Sequence, residues 1–287
     1  MAKSEKRKIP GNIYSSSLKT IRQAGFVLGK IIAVCNQKGG VGKTTTAINL
    51  AATLAAAEHK TLLMDMDPQC NATTGIGVEK KKIELSIYEV VTSRKKGEKE
   101  VTLKDIILPV EHMKYLYIAP ASPDLASAEI ELVNMIAREK CLKNATEPIR
   151  NDYEYIIVDS PPSLGLLTVN ILSAADSVLI PIQCEYYALE GLAELLNTIR
   201  LVQKNLNAKL VIEGALLTMY DGRLNLSRQV AEDVRSCFPE KVFKTIITRN
   251  VKLSEAPSFG KPIILYDIMS SGAENYLNLA KEIMHNG

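Results

Sequence analysis

The stretch Ile31-Ile32-Ala33-Val34-Cys35-Asn36-Gln37-Lys38-Gly39-Gly40-Val41-Gly42-Lys43-Thr44-Thr45 decides how this chain folds. Ile31–Cys35 is a short apolar run of strand type, and a 3.6-residue apolar period begins at Thr44 and continues to about Ala57. A strand, a glycine-rich turn and a helix N-terminus in direct succession form the context of a phosphate-binding loop. Gly39, Gly40 and Gly42 let the backbone curl so that several N–H groups point inward at phosphate oxygens, with Val41 and Thr45 completing the cradle. Lys43 supplies a point charge to the β and γ phosphates, and the Thr44 hydroxyl is placed to ligate Mg²⁺. The strict phosphate-loop pattern demands glycine at position 37, where this chain has Gln37; it carries instead a second lysine, Lys38, at the start of the loop.

Outward from this stretch the same alternation repeats. Strand-type runs at Ile31–Cys35, Thr61–Met64, Tyr115–Ile118, Tyr155–Val158, Ser177–Ile182, Leu210–Leu217 and Val242–Ile247 are separated by helical patterns. The helical patterns lie at about Thr44–Ala57, Leu125–Asn144, Leu164–Ala174, Leu189–Asn205, Asn225–Cys237 and Ala273–Met284. That order predicts an α/β fold with a mostly parallel sheet covered by helices on both faces. Residues 30–287 read as one domain. Residues 1–29 read as a basic extension with too weak a pattern for a domain, at most a short helix around Ser17–Gly25. Ser93–Glu100 reads as a charged surface loop.

Two acidic segments fall at strand ends. Leu62-Leu63-Met64-Asp65-Met66-Asp67-Pro68-Gln69 places Asp65 and Asp67 at the C-terminal end of the second strand, where open α/β sheets place their chemistry. Tyr155-Ile156-Ile157-Val158-Asp159-Ser160-Pro161-Pro162 is an apolar strand ending in an acid and stopped by prolines. An aspartate at such a strand end beside a phosphate loop holds Mg²⁺ directly or through water.

The formal charge of +3 hides its distribution. Residues 1–30 hold seven bases against one acid, and residues 200–261 hold eleven bases against six acids, so the rest of the chain is acidic. A local basic surplus is the footprint of a phosphate-backbone surface. No helix-turn-helix signature accompanies it, so base reading is not supported, and by itself the surplus fits either non-specific duplex binding or an ordinary solvated charged face. No run approaches the roughly 18 apolar residues of a membrane span, and the tail lacks an uninterrupted apolar leader, which predicts a cytoplasmic location. Five cysteines, widely spread and without a C-x-x-C pair, predict free and mostly buried thiols rather than disulfides or a zinc site.

Lys38-Gly39-Gly40-Val41-Gly42-Lys43-Thr44 resembles the deviant Walker A box of the ParA/MinD group of ATPases, which implies a P-loop NTPase domain. The likeness to the ParA/Soj-type chromosome or plasmid partitioning ATPases extends over residues 30–287. It is carried by Asp67-Pro68-Gln69, by Asp159-Ser160-Pro161-Pro162-Ser163-Leu164-Gly165, by Gln183 to Gly191 and by Leu253-Ser254-Glu255-Ala256-Pro257-Ser258. The resemblance implies ATP hydrolysis with Mg²⁺, in a sandwich homodimer where Lys38 reaches the partner's ATP. It gives Asp67 the attacking water and Asp159 the Walker B role. It places adenine against Thr218-Met219 and Thr248-Arg249-Asn250, with threonine at 248 where relatives commonly carry proline. It further implies non-specific double-stranded DNA binding through Arg223 and Lys252, with Arg249 and Lys261 on the same basic segment, nucleoid association, and stimulation by a DNA-bound ParB-type partner.

A membrane-positioning ATPase of the MinD type is the alternative use of the same engine. It would need a C-terminal membrane-binding helix, whereas Ala273, Tyr276, Leu277, Ala280, Ile283 and Met284 read as a core stripe with Lys281 the only base. An ATP-using ligase or a reductase shares the loop, and the reductase would need a cysteine motif that the spacing does not offer.

Overall fold

The structure is a computed structural model that describes residues 29–189 and 191–285. The basic extension, with its candidate helix around Ser17–Gly25, lies outside the described residues, except for Gly29.

Seven strands form one sheet: β1 (Lys30–Val34), β2 (Thr61–Asp65), β3 (Leu108–Pro109), β4 (Leu116–Ala119), β5 (Tyr155–Asp159), β6 (Ser177–Gln183) and β7 (Val211–Thr218), in the spatial order β3-β4-β2-β5-β1-β6-β7. All pairings are parallel except that of β3 with β4 at one edge. The central strands are apolar throughout because both of their faces are covered. Alternation sends Ile31, Ala33 and Cys35 into one core and Ile32 and Val34 into the other.

Among the helices are α1 (Lys43–Ala56), α2 (Leu125–Leu132), α3 (Leu166–Ala174), α4 (Leu192–Asn205), α5 (Asn225–Cys237), α6 (Val251–Glu255) and α7 (Ser271–His285), with further short helices between them, such as Asn71–Gly75 and Cys141–Thr146. Residues of α1, α6 and α7 pack into the core on one face, and those of α2 to α5 into the core on the other. Helix α1 is buried almost all round, from Thr46 through Ala55, so the phosphate loop is mounted between a central strand and a central helix. The α/β architecture, parallel sheet and two-sided helical cover expected from the sequence are present.

Three expectations are corrected. The run Val242–Ile247 is not a strand; it meets β7 through an isolated bridge between Val242 and Ala215 and through single backbone hydrogen bonds such as Ile247 N–H to the Leu217 carbonyl at 2.9 Å. Lys244 and Thr245 donate their backbone N–H groups to the Glu282 carboxylate of α7 at 2.7 and 3.0 Å, which removes them from a sheet ladder. The pattern Leu125–Asn144 is not one helix: α2 ends at Leu132, Ala137 turns into the left-handed region, and a separate helix runs Cys141–Thr146. Asn170 of α3 holds this break open, donating to the Arg138 carbonyl at 2.7 Å and accepting from the Leu142 N–H at 3.2 Å. Within the loop 93–100, Lys95–Lys96 and Lys99–Glu100 pair as a small hairpin.

The C-terminal helix α7 buries Ala273, Tyr276, Leu279, Ala280 and Ile283, while Leu277 is only half-buried. Among the described residues no helix is long and apolar enough to cross a membrane. Of the five free cysteines, Cys35, Cys70 and Cys184 are buried, Cys141 is half-buried and Cys237 is exposed.

Candidate nucleotide site

The phosphate loop leaves the C-terminal end of β1, a central strand with β5 and β6 on either side, and is fastened to its neighbours. The Asn36 amide donates to the Pro181 carbonyl of β6 at 2.7 Å, and its oxygen accepts from the Lys38 N–H at 3.0 Å. The Thr218 hydroxyl at the end of β7 donates to the Val41 carbonyl at 2.8 Å. Gly40 and Gly42 take φ of 75° and 90°, a region that side chains other than glycine rarely enter. A Cβ at Gly39 or Gly40 would meet no protein atom within 4 Å, so the curled backbone faces open space. Gly42 caps α1 without any side-chain hydrogen bond and the first turn carries no acid, leaving its backbone N–H groups for an anion.

Lys43 is buried, and its ammonium donates to the Lys38 carbonyl at 2.9 Å. Burial pushes its pKa down, and the charges of Asp159, Cys35 and Asp67 work against that shift. Asp159 lies fully buried at the end of β5, in register with Val34 of β1 and Asp65 of β2. Burial, then the Asp65 charge, push its pKa well above the usual carboxylate range, while Thr44 and Lys43 favour its charged form. Neither of its carboxylate oxygens has a well-formed hydrogen bond. A buried acceptor short of donors beside a threonine hydroxyl and a lysine fits a hard cation, so Thr44 and Asp159 fit Mg²⁺. Among the described residues no group of three or more His, Cys, Asp or Glu side chains could hold a metal ion, so the remaining ligands would come from nucleotide and water.

The two acids after β2 have separate positions. Asp65 is wholly buried and its carboxylate accepts hydrogen bonds from the Thr73 N–H, the Thr73 hydroxyl and the Asp67 N–H at 2.8, 2.7 and 3.1 Å. Burial nevertheless raises its pKa to about 6. Asp67, also buried, uses Oδ1 to accept from the Gln69 N–H at 2.9 Å. Sequence reading placed both acids at the strand end without distinguishing the work of Asp65, because only the fold brings Thr73 beside it.

On the far side of the loop, a cavity of about 290 Å³ joins Gly42 and Thr45 to Thr218, Met219, Thr248, Arg249 and Asn250. Phosphate-side and adenine-side residues expected from separate parts of the chain thus line one space. Leu253, Pro257 and Tyr276 supply its apolar wall, and sequence reading did not assign them there; Tyr276 was legible only as a core position. Thr248 donates both its N–H and its hydroxyl to Asn275 Oδ1 at 3.0 Å, a pair that proline could not make. The Asn250 side chain is engaged elsewhere, accepting from the Lys252 N–H and donating to Ser271.

A model of the AAA domain family matches residues 29–212. Soj, the sporulation initiation inhibitor protein of Bacillus subtilis, is 58% identical over 260 residues, covering 91% of this chain and all of that protein. The chromosome partitioning protein ParA of Myxococcus xanthus is 56% identical over 257 residues, covering 90% and 88% of the two chains. The chain belongs to the ParA/Soj family of chromosome-partitioning ATPases.

Solved structures place the ParA/Soj chain in the same fold. Cobyrinic acid a,c-diamide synthase from Mycobacterium smegmatis, solved with an ATP analogue and magnesium, has a TM-score of 0.76 at 35% identity, covering 88% of this chain and 93% of that one. MinD from Pyrococcus furiosus, at 24% identity and a TM-score of 0.72 over 90% and 100% of the chains, shares the fold.

The basic residues expected on the DNA face of this ParA/Soj family member are exposed, and three of them are paired with acids. Arg223 meets Asp221 at 2.6 Å, Lys252 meets Glu255 at 3.0 Å and Arg249 meets Glu185 at 3.3 Å. Arg223 and Arg249 share a neighbourhood, since both charges act on Asp221. Lys261 stands exposed beside the Gly260 turn, where Gly260 packs directly on Gly77.

Proposed function

We propose that the chain is an ATP-hydrolysing switch for DNA segregation. The observation that carries this reading is the fully buried Asp159 carboxylate, short of hydrogen-bond donors, beside Lys43 and Thr44 at the open phosphate loop. Bound Mg²⁺-ATP supplies the phosphoryl group and the charge that this carboxylate and lysine are placed to meet. The loop amides from Gly39 to Thr45 and Lys43 hold the phosphates, Thr44 and Asp159 hold the metal, and Met219, Thr248 and Asn250 border the adenine. Asp67 keeps one oxygen on Gln69 and offers the other to orient the attacking water.

Among the described residues Lys38 commits its backbone to the loop, donating its N–H to Asn36 and accepting from Lys43. Its ammonium is therefore left to neutralise charge on the ATP of a partner subunit in a sandwich homodimer. Dimerisation doubles the phosphate contacts of the basic face formed by Arg223, Arg249, Lys252 and Lys261. Because each contact adds to the salt-dependent affinity, ATP then controls non-specific DNA binding and nucleoid association. A DNA-bound ParB-type partner stimulates hydrolysis and releases the dimer. The membrane-positioning alternative is disfavoured by α7, whose apolar stripe is spent on the core.

The test is duplex DNA binding against salt concentration, with and without ATP, alongside sizing of wild type and Asp67→Ala. Steep salt dependence only with ATP, and an ATP-trapped Asp67→Ala dimer, are expected. DNA affinity indifferent to ATP, or a variant that stays monomeric or hydrolyses normally, refutes the reading.

A further inference from the structure

Between Asp65, the last residue of β2, and Thr73 in the short helix Asn71–Gly75 runs a loop whose two ends are fastened to the Asp65 carboxylate. Asp65 Oδ1 accepts from the Asp67 N–H at 3.1 Å, and Oδ2 accepts from the Thr73 N–H and hydroxyl at 2.8 and 2.7 Å. The Thr73 hydroxyl accepts in turn from the Ala121 N–H at 3.0 Å, so the loop is tied to the turn that precedes α2. Within the loop the Asp67 carbonyl accepts from the Cys70 N–H at 2.9 Å, and the Met66 N–H donates to the Asp159 carbonyl at 3.1 Å. Asp65 and Thr73 are both wholly buried, and neither lines the nucleotide cavity.

We infer that Asp65 and Thr73 are positioning residues for Asp67. Their hydrogen bonds fix the backbone of the Asp67 loop against β2 and the Ala121 turn, and so fix where the Asp67 carboxylate stands. This inference rests on the role proposed for Asp67. Neither side chain is placed to touch nucleotide, so losing one of these bonds misplaces Asp67 without removing a nucleotide contact. Misplacement by a fraction of an ångström lowers turnover steeply while leaving ground-state binding alone.

Thr73→Val keeps the side-chain shape and removes the hydroxyl that donates to Asp65 and accepts from Ala121. Thr73→Ser restores that hydroxyl, and Asp65→Asn replaces one acceptor by a donor. Steady-state ATP hydrolysis and nucleotide affinity are measured for all three beside Asp67→Ala. We expect Thr73→Val and Asp65→Asn to lose about tenfold or more in kcat. Nucleotide affinity of the two Thr73 variants should stay within about twofold, with Thr73→Ser close to wild type; Asp65→Asn also removes a charge that acts on Asp159, so it is read by kcat alone. Thr73→Val turning over at the wild-type rate, or losing affinity and kcat in parallel, overturns the positioning role; should Thr73→Val fail to fold, Asp65→Asn turning over at the wild-type rate overturns it. An inactive Asp67→Ala beside a fully active Thr73→Val sinks this inference alone, whereas a fully active Asp67→Ala sinks the role of Asp67 and the inference with it.

Discussion

The ammonium of Lys43 donates to the carbonyl of Lys38 at 2.9 Å, so the phosphate loop is closed on itself by the first residue of the helix that follows it. A phosphate oxygen offers Lys43 a charged acceptor in place of a neutral one, and charge-assisted bonds are roughly twice as strong. We predict that Lys43→Ala weakens ATP binding by about 100-fold or more, which corresponds to about 3 kcal/mol. Titration with a fluorescent ATP analogue measures it, and unchanged affinity would remove Lys43 from the site.

Asp159 gives a prediction about pH. Its folded-state pKa is raised by burial, so the nucleotide-free protein gains stability as pH falls through that pKa and loses it as pH rises from the unfolded value. Asp159→Asn removes the charge, and we expect it to stabilise the nucleotide-free chain by about 1–3 kcal/mol near pH 8. The gain should shrink as pH falls through the raised pKa of the native carboxyl, because the protonated group no longer buries a charge. Thermal unfolding across that range checks the sign. A gain that grows as pH falls would contradict the assignment.

Asn275 acts on the other end of the nucleotide site. Its oxygen accepts both donors of Thr248 and so holds against α7 the segment that the proposed function sets beside adenine. Asn275→Ala frees the segment and leaves two donors short of an acceptor, at a cost of about 1–2 kcal/mol. The expected result is a nucleotide dissociation constant about tenfold higher. Wild-type affinity would show that the clamp has no bearing on the base.

On the basic face, Arg223 is paired with Asp221, so under the proposed function Asp221 competes with DNA for it. The Arg223 hydrogen bonds hold the Asp221 carboxyl down at about 2, so it stays charged at any working pH. Asp221→Asn should therefore strengthen duplex binding, while the double change Arg223→Glu and Lys252→Glu should abolish it and leave ATP-dependent dimerisation intact. Binding isotherms at several salt concentrations separate these outcomes, because each lost phosphate contact lowers the salt slope by about one unit. DNA affinity retained by the double variant at moderate salt would place the interface elsewhere.

The phosphate loop, the strand-end acids and the order of strands and helices were legible in the sequence because each is encoded within a few neighbouring residues. Glycines at 39, 40 and 42 set a backbone path, and apolar alternation sets which side of the sheet a residue faces. The run Val242–Ile247 misled for the same reason: its composition is that of a strand, but Glu282, some forty residues away, takes two of its N–H groups. Asn170 likewise breaks a helical pattern that is locally continuous.

The sequence by itself determined what chemistry is available: a phosphate cradle, two lysines, three aspartates and a basic segment. Only the tertiary structure decided how that chemistry is divided. It buried Asp159 among too few donors, satisfied Asp65 with Thr73, tied one oxygen of the buried Asp67 to Gln69, and brought Thr248 to Asn275 at the rim of a shared cavity. Hydrogen-bond partners distant in sequence leave no periodic trace along the chain, and burial is a property of the packed whole.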